Sequence, residues 1–246
     1  MARLPDGDVR NQNPGHMMAS VPWSAFRAGA MVPGLFALAI VAGCNTAESA
    51  DPAAHGKRVF TDYCQPCHNP NAGGNADIGA PAIASLSEWY IRGQLEKFQE
   101  GQRGLHFDDI EGMRMRPMSL ALQEDGEREV VAKYVAGLPA VDNTHTVHGD
   151  LEAGAKHYVT CSACHGPDAK GNELLSAPSL VQQDDWYLER QIGKFQKGIR
   201  GANPTDVTGL QMAPMANIIK DEHATQQVVD QATKDVVAYI KSLSNQ

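Results

Sequence analysis

The sequence lacks several features that mark common classes of protein. Basic residues are too few for nucleic-acid binding, because 21 Lys and Arg stand against 29 Asp and Glu and leave a net charge of −8. No stretch alternates apolar and polar residues for long enough to predict a β-strand, so the predicted fold class is all-α. Aromatic residues make up only 6% of the chain, which leaves each part of it a small apolar core of its own.

Long apolar runs are also missing, with one short exception that ends at a cysteine. Residues 28–43 are apolar, follow Arg27, and are too few to span a membrane comfortably but suit the core of a signal peptide. The small residues before Cys44 resemble the lipobox of bacterial lipoproteins. We predict a lipoprotein signal peptide over residues 1–43, lipidation of Cys44, and a tether over residues 44–53. A signal peptide with an incidental cysteine and an uncleaved anchor are the alternatives, and all three export the folded part.

Cysteine is scarce, and four of the five cysteines belong to a motif that occurs twice. The motif is C-x-x-C-H, found at residues 64–68 and 161–165. Its two thiols can form thioether bonds with the vinyl groups of a haem, and its histidine can bind the iron as an axial ligand. We therefore predict two covalently bound haem c groups, which also supply apolar mass that small cores lack. The predicted attachment and iron-binding residues are Cys64, Cys67 and His68, and Cys161, Cys164 and His165.

The repeat extends well beyond these motifs. A shift of 97 positions carries Cys64 onto Cys161 and matches many further residues without an insertion or a deletion. The matched pairs include Ala80-Pro81 with Ala177-Pro178, Trp89-Tyr90 with Trp186-Tyr187, Lys97-Phe98-Gln99 with Lys194-Phe195-Gln196, Arg103-Gly104 with Arg200-Gly201, and Pro117-Met118 with Pro214-Met215. The chain is thus predicted to hold two duplicated domains, residues 54–139 and 151–246, joined by a linker at 140–150.

Two other uses of paired cysteines are alternatives to haem. Four cysteines could form a zinc site, but 97 residues separate the two pairs and a histidine follows each pair. Redox-active disulfides are the second alternative, and neither pair lies in the βαβ pattern that such motifs usually accompany.

Helical spacing of apolar residues predicts three helices in each domain. In the first domain they are expected at about residues 54–63, 85–101 and 125–137, and in the second at about 151–161, 184–198 and 226–243. We expect loops at residues 102–119 and 199–216, which hold the methionines. The acidic groups Asp108, Asp109 and Glu111, and Asp184 and Asp185, are expected on solvated faces.

The ordered motifs resemble the dihaem cytochrome c4 type of class I c-type cytochromes. In both halves, C-x-x-C-H is followed by a proline, by Tyr-x-x-x-Gln-Leu/Ile-x-x-Phe-x-x-Gly-x-Arg-Gly, by a methionine pair and by a terminal helix. The resemblance covers residues 54–243. It implies two cytochrome c-like helical domains related by pseudo-symmetry, His/Met ligation of both irons, and electron transfer in the periplasm.

The same resemblance suggests roles for residues around the haems. Pro81 and Pro178 resemble the proline whose carbonyl accepts the Nδ1 proton of the iron-binding histidine. Four polar residues are candidates for contact with the haem propionates or across the domain interface, although the tyrosines could instead belong to the cores. These four are Tyr90, Tyr187, Arg103 and Arg200.

The sixth iron ligands are expected in the methionine segments. The repeat pairs Met115 with Met212 and Met118 with Met215, whereas Met113 falls opposite a leucine. Symmetry alone leaves both pairs open. The resemblance to cytochrome c4 favours the first methionine of each pair, so Met115 and Met212 are the predicted ligands.

These expectations describe an electron carrier and not an enzyme. We expect a lipid-anchored periplasmic protein that carries electrons between a quinol-oxidising complex or dehydrogenase and a terminal oxidase or reductase. Its expected partners are respiratory redox complexes and a membrane, without nucleic acid or a small-molecule substrate. A fixed electron-transfer subunit of a larger complex is an alternative. A dihaem peroxidase-like enzyme is a further one, but it needs an open iron site, which a methionine pair in both halves disfavours.

Overall fold

A computed structural model describes residues 51–123, 126–142, 145–219 and 225–245 of the chain. Its described residues form α-helices with short 3₁₀ and π segments and contain no β-strand, which confirms the predicted all-α class. None of these helices is long and apolar enough to cross a membrane. The helices are α1 (Pro52–Val59), α2 (Gln65–His68), α3 (Glu88–Gln99), α4 (Ile110–Leu120), α5 (Glu127–Ala136), α6 (Leu151–His165), α7 (Asp185–Gln196), α8 (Val207–Ile218) and α9 (Gln226–Ser242).

The helix that leads to each C-x-x-C-H motif packs against the last helix of its own domain. Gly56 of α1 and Gly154 of α6 lie so close to α5 and α9 that a Cβ atom at either position would collide with backbone. Gly56 precedes Cys64 by eight residues, whereas Gly154 precedes Cys161 by seven. A π-helical turn at Phe60–Cys64 accommodates the additional residue in the first domain. Both motif helices therefore reach the haem region with the same face buried.

Each domain has its own apolar core around these helices. In the first domain, Val59, Phe60 and Leu95 pack with Val131 and Val135 of α5. The second core is built from the corresponding helices, and its buried residues include Tyr158, Leu188, Phe195, Val236 and Ile240. Aromatic rings join the helix pairs, because Phe60 contacts Tyr134 and Tyr158 contacts Tyr239, each with ring centroids 5.5 Å apart.

Two pseudo-symmetric ion pairs join the domains. The Lys97 ammonium of α3 lies 2.5 Å from Asp206, and the Lys194 ammonium of α7 lies 2.6 Å from Asp109. Each aspartate also accepts a hydrogen bond from a backbone N–H in the first turn of α8 or α4. The start of each of these helices is thus held by a lysine of the other domain.

The segments expected to be methionine-bearing loops are largely helical. Helix α4 carries Met113, Met115 and Met118, and α8 carries Met212 and Met215. The prediction was wrong because each segment contains a proline and has little helical periodicity. Both helices instead begin at aspartate caps that are fixed from the other domain.

Three acidic residues expected on solvated faces are buried. Asp109 is 1% exposed because Lys194 neutralises it, and Asp184 and Asp185 are 5% and 2% exposed. Asp185 accepts hydrogen bonds from the backbone of Thr146 and Val147, which anchors the interdomain linker. Spacing could not indicate these partners, because they lie elsewhere in the chain.

The described structure begins inside the predicted tether. Helix α1 begins at Pro52, so residues 52 and 53 of the predicted tether are helical. The signal peptide, Cys44 and residues 45–50 of the tether lie outside the described residues, as do residues 220–224 before α9.

Candidate haem-binding sites

Each C-x-x-C-H motif ends at a histidine whose ring is held in one orientation. His68 and His165 are buried, and the chain reverses just after each histidine through a residue with positive φ, Asn69 or Gly166. His68 Nδ1–H donates to the Pro81 carbonyl at 2.7 Å, and His165 Nδ1–H donates to the Pro178 carbonyl at 2.8 Å. A carbonyl can only accept, so Nδ1 must carry the proton. The Nε2 lone pair of each ring is left free to bind a metal.

The surroundings keep these histidines neutral. Burial lowers the pKa of both His68 and His165 below the ordinary value. The hydrogen bonds to Pro81 and Pro178 oppose this effect, and at His68 so does the charge of Asp184. Neutral imidazole is the form that ligates iron.

The first thiol of each motif lacks the lowered pKa of a redox-active cysteine. Burial, with a smaller effect from Cys67, raises the pKa of Cys64 to about 12, and burial also raises the pKa of Cys161. Reactive thiols instead have lowered pKa values. Within the described residues, no group of three or more His, Cys, Asp or Glu side chains has an arrangement that could hold a metal ion. The geometry therefore gives no support to the disulfide and zinc alternatives.

A large apolar cavity lies beside each motif. The cavity volume available to water is about 180 Å³ in the first cavity and about 300 Å³ in the second. A single water needs only about 10–15 Å³ by the same measure, so each cavity has room for a much larger group. The first is lined by Cys64, Cys67, His68, Met115 and Met118 among others, and the second by Cys161, Cys164, His165, Met212 and Met215.

Both domains contribute to the walls of both cavities. Helix α7 of the second domain contributes Tyr187, Gln191 and Lys194 to the first cavity, and Gln183, two residues before this helix, also lines it. Helix α3 of the first domain contributes residues to the second cavity, namely Trp89, Tyr90, Gly93, Gln94 and Lys97. The domain interface is therefore part of each site.

Two arginines are buried where the cavities meet the interface. Arg103 lines the first cavity and Arg200 the second, and they are only 6% and 7% exposed. Arg103 donates to Gln94 at 2.6 Å, and Arg200 donates to Gln191 at 2.7 Å. Each guanidinium also makes a longer hydrogen bond of 3.4 Å to the glutamine of the other domain. The domains are thus joined by a second pseudo-symmetric contact.

The arginines have capacity for an anionic group. The Nε atom of each is buried without a hydrogen-bond partner in the part of the chain that the structure describes. A buried donor of this kind is costly unless a ligand satisfies it. The acidic propionate groups of a haem fit this requirement, because each arginine lines one cavity.

The two tyrosines lie in the same interface. Arg103 donates to the Tyr187 hydroxyl at 3.4 Å. Burial raises the pKa of Tyr90 to about 12; burial also acts to raise the pKa of Tyr187, but Arg103 and Arg200 bring it below its ordinary value. Tyr187 lines the first cavity and Tyr90 lines the second, and Tyr90 also packs against the first core.

The methionines differ in their packing. Both members of each pair line the cavity, so lining alone does not choose between them. Met115 packs against the first core and Met212 against the second, whereas Met118 is 38% exposed. Met113 is exposed on α4.

Sequence reasoning missed several of the residues that bridge the domains. Gln94, Lys97 and Asp109 each recur as the same residue type 97 positions later, so the repeat could have singled them out. It could not have indicated that each of them contacts the other domain.

The residues present fit one haem per domain, with paired thiols for attachment, an oriented imidazole, thioethers and a buried cation. Such a pair of sites defines the class of dihaem c-type cytochromes. The chain belongs to the cytochrome c family, whose sequence model matches residues 53–139 and 151–244. Each domain binds one haem c covalently, as predicted, and the haem iron carries one electron by cycling between ferric and ferrous states.

Known proteins similar to the chain include electron carriers and oxidase subunits. The chain is 28% identical over 176 residues to the thiosulfate dehydrogenase electron acceptor of Stutzerimonas stutzeri (strain A1501), covering 64% of this chain and 77% of that protein. It is 36% identical over 142 residues to the cbb3-type cytochrome c oxidase subunit FixP of Bradyrhizobium sp. (strain ORS 278). That match covers 53% of this chain but only 45% of the oxidase subunit.

Solved structures confirm the cytochrome c4-like fold. Reduced recombinant cytochrome c4 from Pseudomonas stutzeri aligns with a TM-score of 0.55 and 21% identity, over 77% of this chain and 97% of that one. Thiosulfate dehydrogenase TsdBA from Marichromatium purpuratum aligns with a TM-score of 0.59 and 24% identity, over 78% and 40% of the two chains. The family match to both domains and the electron-transfer proteins among the relatives show that the chain is a dihaem cytochrome that transfers electrons.

Proposed function

We propose that the protein is a lipid-anchored periplasmic carrier with two six-coordinate haems. It takes electrons from a quinol-oxidising complex or dehydrogenase and delivers them to a terminal oxidase or reductase. The observation that carries this proposal is the presence, in both cavities, of an oriented histidine together with methionine thioethers.

In this proposal His68 and His165 bind the two irons through Nε2, and Met115 and Met212 supply the opposite ligands. The packing of these two methionines against the cores supports the choice, because a ligand anchored in a core keeps its position when the iron changes charge. Cys64, Cys67, Cys161 and Cys164 attach the haems. Arg103 and Arg200 hold propionates at the interface.

The surrounding residues keep the iron shielded. Apolar walls exclude water, and the hydrogen bonds that the imidazole rings donate to the carbonyls of Pro81 and Pro178 prevent the rings from turning. A site that keeps both ligands in each oxidation state needs little rearrangement, which suits rapid electron transfer. Methionine ligation also keeps the reduction potential high.

The similar proteins support respiratory or related redox complexes as partners. One is named an electron acceptor of thiosulfate dehydrogenase, and others are named subunits of cbb3-type oxidases. The oxidase subunits favour a second candidate function, in which this chain is a fixed electron-transfer subunit.

Purification after mild detergent extraction distinguishes the two functions. A free carrier should separate from other proteins during size-exclusion chromatography, with an intact mass that exceeds the mature polypeptide by two haems. A fixed subunit should co-elute with an oxidase or dehydrogenase in constant proportion. A mass with one haem or none would contradict both functions.

Exposure to carbon monoxide tests the peroxidase-like alternative. Native reduced protein should not bind carbon monoxide, because methionine occupies the sixth position of each iron. Rapid binding at one haem would identify an open iron site and favour an enzyme.

Lipidation of Cys44 would keep the carrier at a membrane surface. We predict that Cys44→Ser releases the protein from washed membranes with both haems still attached, because a thiol is the site of lipid attachment. Fractionation followed by haem staining measures the effect. A Cys44→Ser protein that remains bound to washed membranes would show that the anchor is something else.

A further inference from the structure

The peptide group between Pro81 and Ala82 is hydrogen-bonded at both ends. Its carbonyl accepts the Nδ1 proton of His68 at 2.7 Å, and its N–H donates to Asp184 Oδ2, also at 2.7 Å. Asp184 belongs to the second domain, whereas the other groups belong to the first. The imidazole, the peptide group and the carboxylate therefore form one continuous hydrogen-bonded chain across the interface.

The carboxylate is placed for this contact. Asp184 immediately precedes α7, where an aspartate commonly caps its own helix, but its side chain accepts no such hydrogen bond in the described structure. It is buried and directed toward the first domain instead. Charge-assisted hydrogen bonds of this kind are roughly twice as strong as neutral ones.

The second domain lacks the equivalent arrangement. The repeat places Ser179 opposite Ala82 and Ser87 opposite Asp184. The His165 ring still donates to Pro178, but no carboxylate among the described residues is hydrogen-bonded to the Ser179 N–H. Each cavity has a lysine paired with an aspartate, but Lys194 of the first cavity also pairs with Glu111, whereas Lys97 of the second donates to Thr208 instead. Glu111 pairs with Arg190 as well and is partly exposed, so its charge is compensated at the surface.

An anionic acceptor polarises the hydrogen bonds linked to it, and a carboxylate behind a metal-binding histidine makes the ring a stronger electron donor. A stronger donor and a nearby negative charge both stabilise ferric over ferrous iron. The Lys241 ammonium offsets part of the negative charge of Asp184. It donates to the carbonyls of Val181 and Gln183. Burial lowers the pKa of Lys241, and the charges of Asp184 and Asp185 oppose this effect.

We propose that Asp184 is a cross-domain positioning residue that lowers the reduction potential of haem 1, the haem attached at Cys64 and Cys67, relative to haem 2 at Cys161 and Cys164. In the singly reduced protein the electron then resides mainly on haem 2. This inference rests on the proposed ligation of haem 1 by His68.

Two substitutions of Asp184 test the inference in the full holoprotein. Asp184→Asn keeps an acceptor oxygen but removes the charge, and Asp184→Ser copies the residue of the first repeat. Both should raise the potential of haem 1 and leave that of haem 2 unchanged. We expect a change of about tenfold in the partition of one electron between the haems, or about 59 mV.

Asp185→Asn is the matched control. Asp185 is also buried, but it accepts hydrogen bonds from the linker backbone at residues 146 and 147 and not from the Pro81–Ala82 peptide group. Its substitution should move the haem 1 potential much less. Spectroelectrochemical titration gives both potentials, and hyperfine-shifted NMR resonances followed during reduction assign them to the two haems.

The native protein offers a measurement that requires no substitution. In the ferrous state, the Nδ1 proton of His68 should resonate further downfield than that of His165, because its acceptor is polarised by a carboxylate. The opposite order would overturn the proposal, as would equal shifts in Asp184→Asn and Asp185→Asn, or no shift in either Asp184 variant. Loss of histidine ligation at haem 1 in the native spectrum would instead contradict the proposed function.

Discussion

At the scale of single residues, the site depends on two imidazole rings with a fixed proton position. The carbonyls of Pro81 and Pro178 hold the proton on Nδ1, which orients Nε2 for the iron. The sequence predicted these contacts only through resemblance, because thirteen residues separate each histidine from its proline carbonyl. The repeat does not choose the methionine opposite each ring, and Met115 and Met118 also share a helix and a cavity.

Alanine substitutions separate the two methionines. Met115→Ala and Met212→Ala should each abolish the far-red sulfur-to-ferric-iron band of one haem, which halves the total band, and lower the potential of that haem. The physical reason is loss of the thioether that stabilises ferrous iron. Optical spectroscopy with redox titration measures both effects.

Met118→Ala and Met215→Ala are the matched controls, since these residues line the same cavities. They should retain the full far-red band. If they lose it while the Met115 and Met212 variants remain normal, the assignment within each pair is wrong, although His/Met ligation stands.

At the scale of helices, α4 and α8 show how the other domain determines local structure. Pro117 and Pro214 lie inside these helices and remove a backbone donor, which is unfavourable for a helix in isolation. Aspartate caps held by lysines of the opposite domain stabilise the first turns. A single repeat contains no trace of these partners, so the helices could not be predicted from periodicity.

Removal of one lysine should affect the methionine helix of the other domain. In the native protein, burial raises the pKa of Asp109, but the Lys194 ammonium outweighs this effect and brings the pKa below its usual value. Lys194→Met leaves the Asp109 carboxylate buried without this ammonium. Breaking a buried pair in this way costs about 3–5 kcal/mol of unfolding free energy. Denaturant unfolding of the holoprotein should show this loss, and the far-red band should change at haem 1 although the substitution is in the second domain.

Lys156→Met is the control for this experiment. Lys156 pairs with Glu152 on an exposed helix surface, where an ion pair contributes little. Its substitution should leave both unfolding and the far-red band unchanged. A Lys194→Met protein with the same stability and spectrum as Lys156→Met would show that the interdomain pair does not position α4.

At the scale of the whole molecule, duplication explains what the sequence could and could not predict. The 97-residue shift and C-x-x-C-H motifs indicated the two haem domains, because those residues recur in order along the chain. The composite cavities follow from the packing of α3 against the second site and α7 against the first, which no local pattern encodes. Asp184 is likewise buried and not solvated as predicted. Its partner, the Ala82 N–H, lies 102 residues away, so no local pattern indicates the contact.

The central claim is that one chain carries two electrons on two His/Met-ligated haems. Stepwise reductive titration of the purified mature protein, with the haem α band and far-red band recorded together, tests it most directly. The account predicts uptake of two electrons per chain in two one-electron steps, with an initial far-red band that represents two methionine-ligated ferric haems. Uptake of a single electron per chain, or a ferric protein without the far-red band, would contradict it.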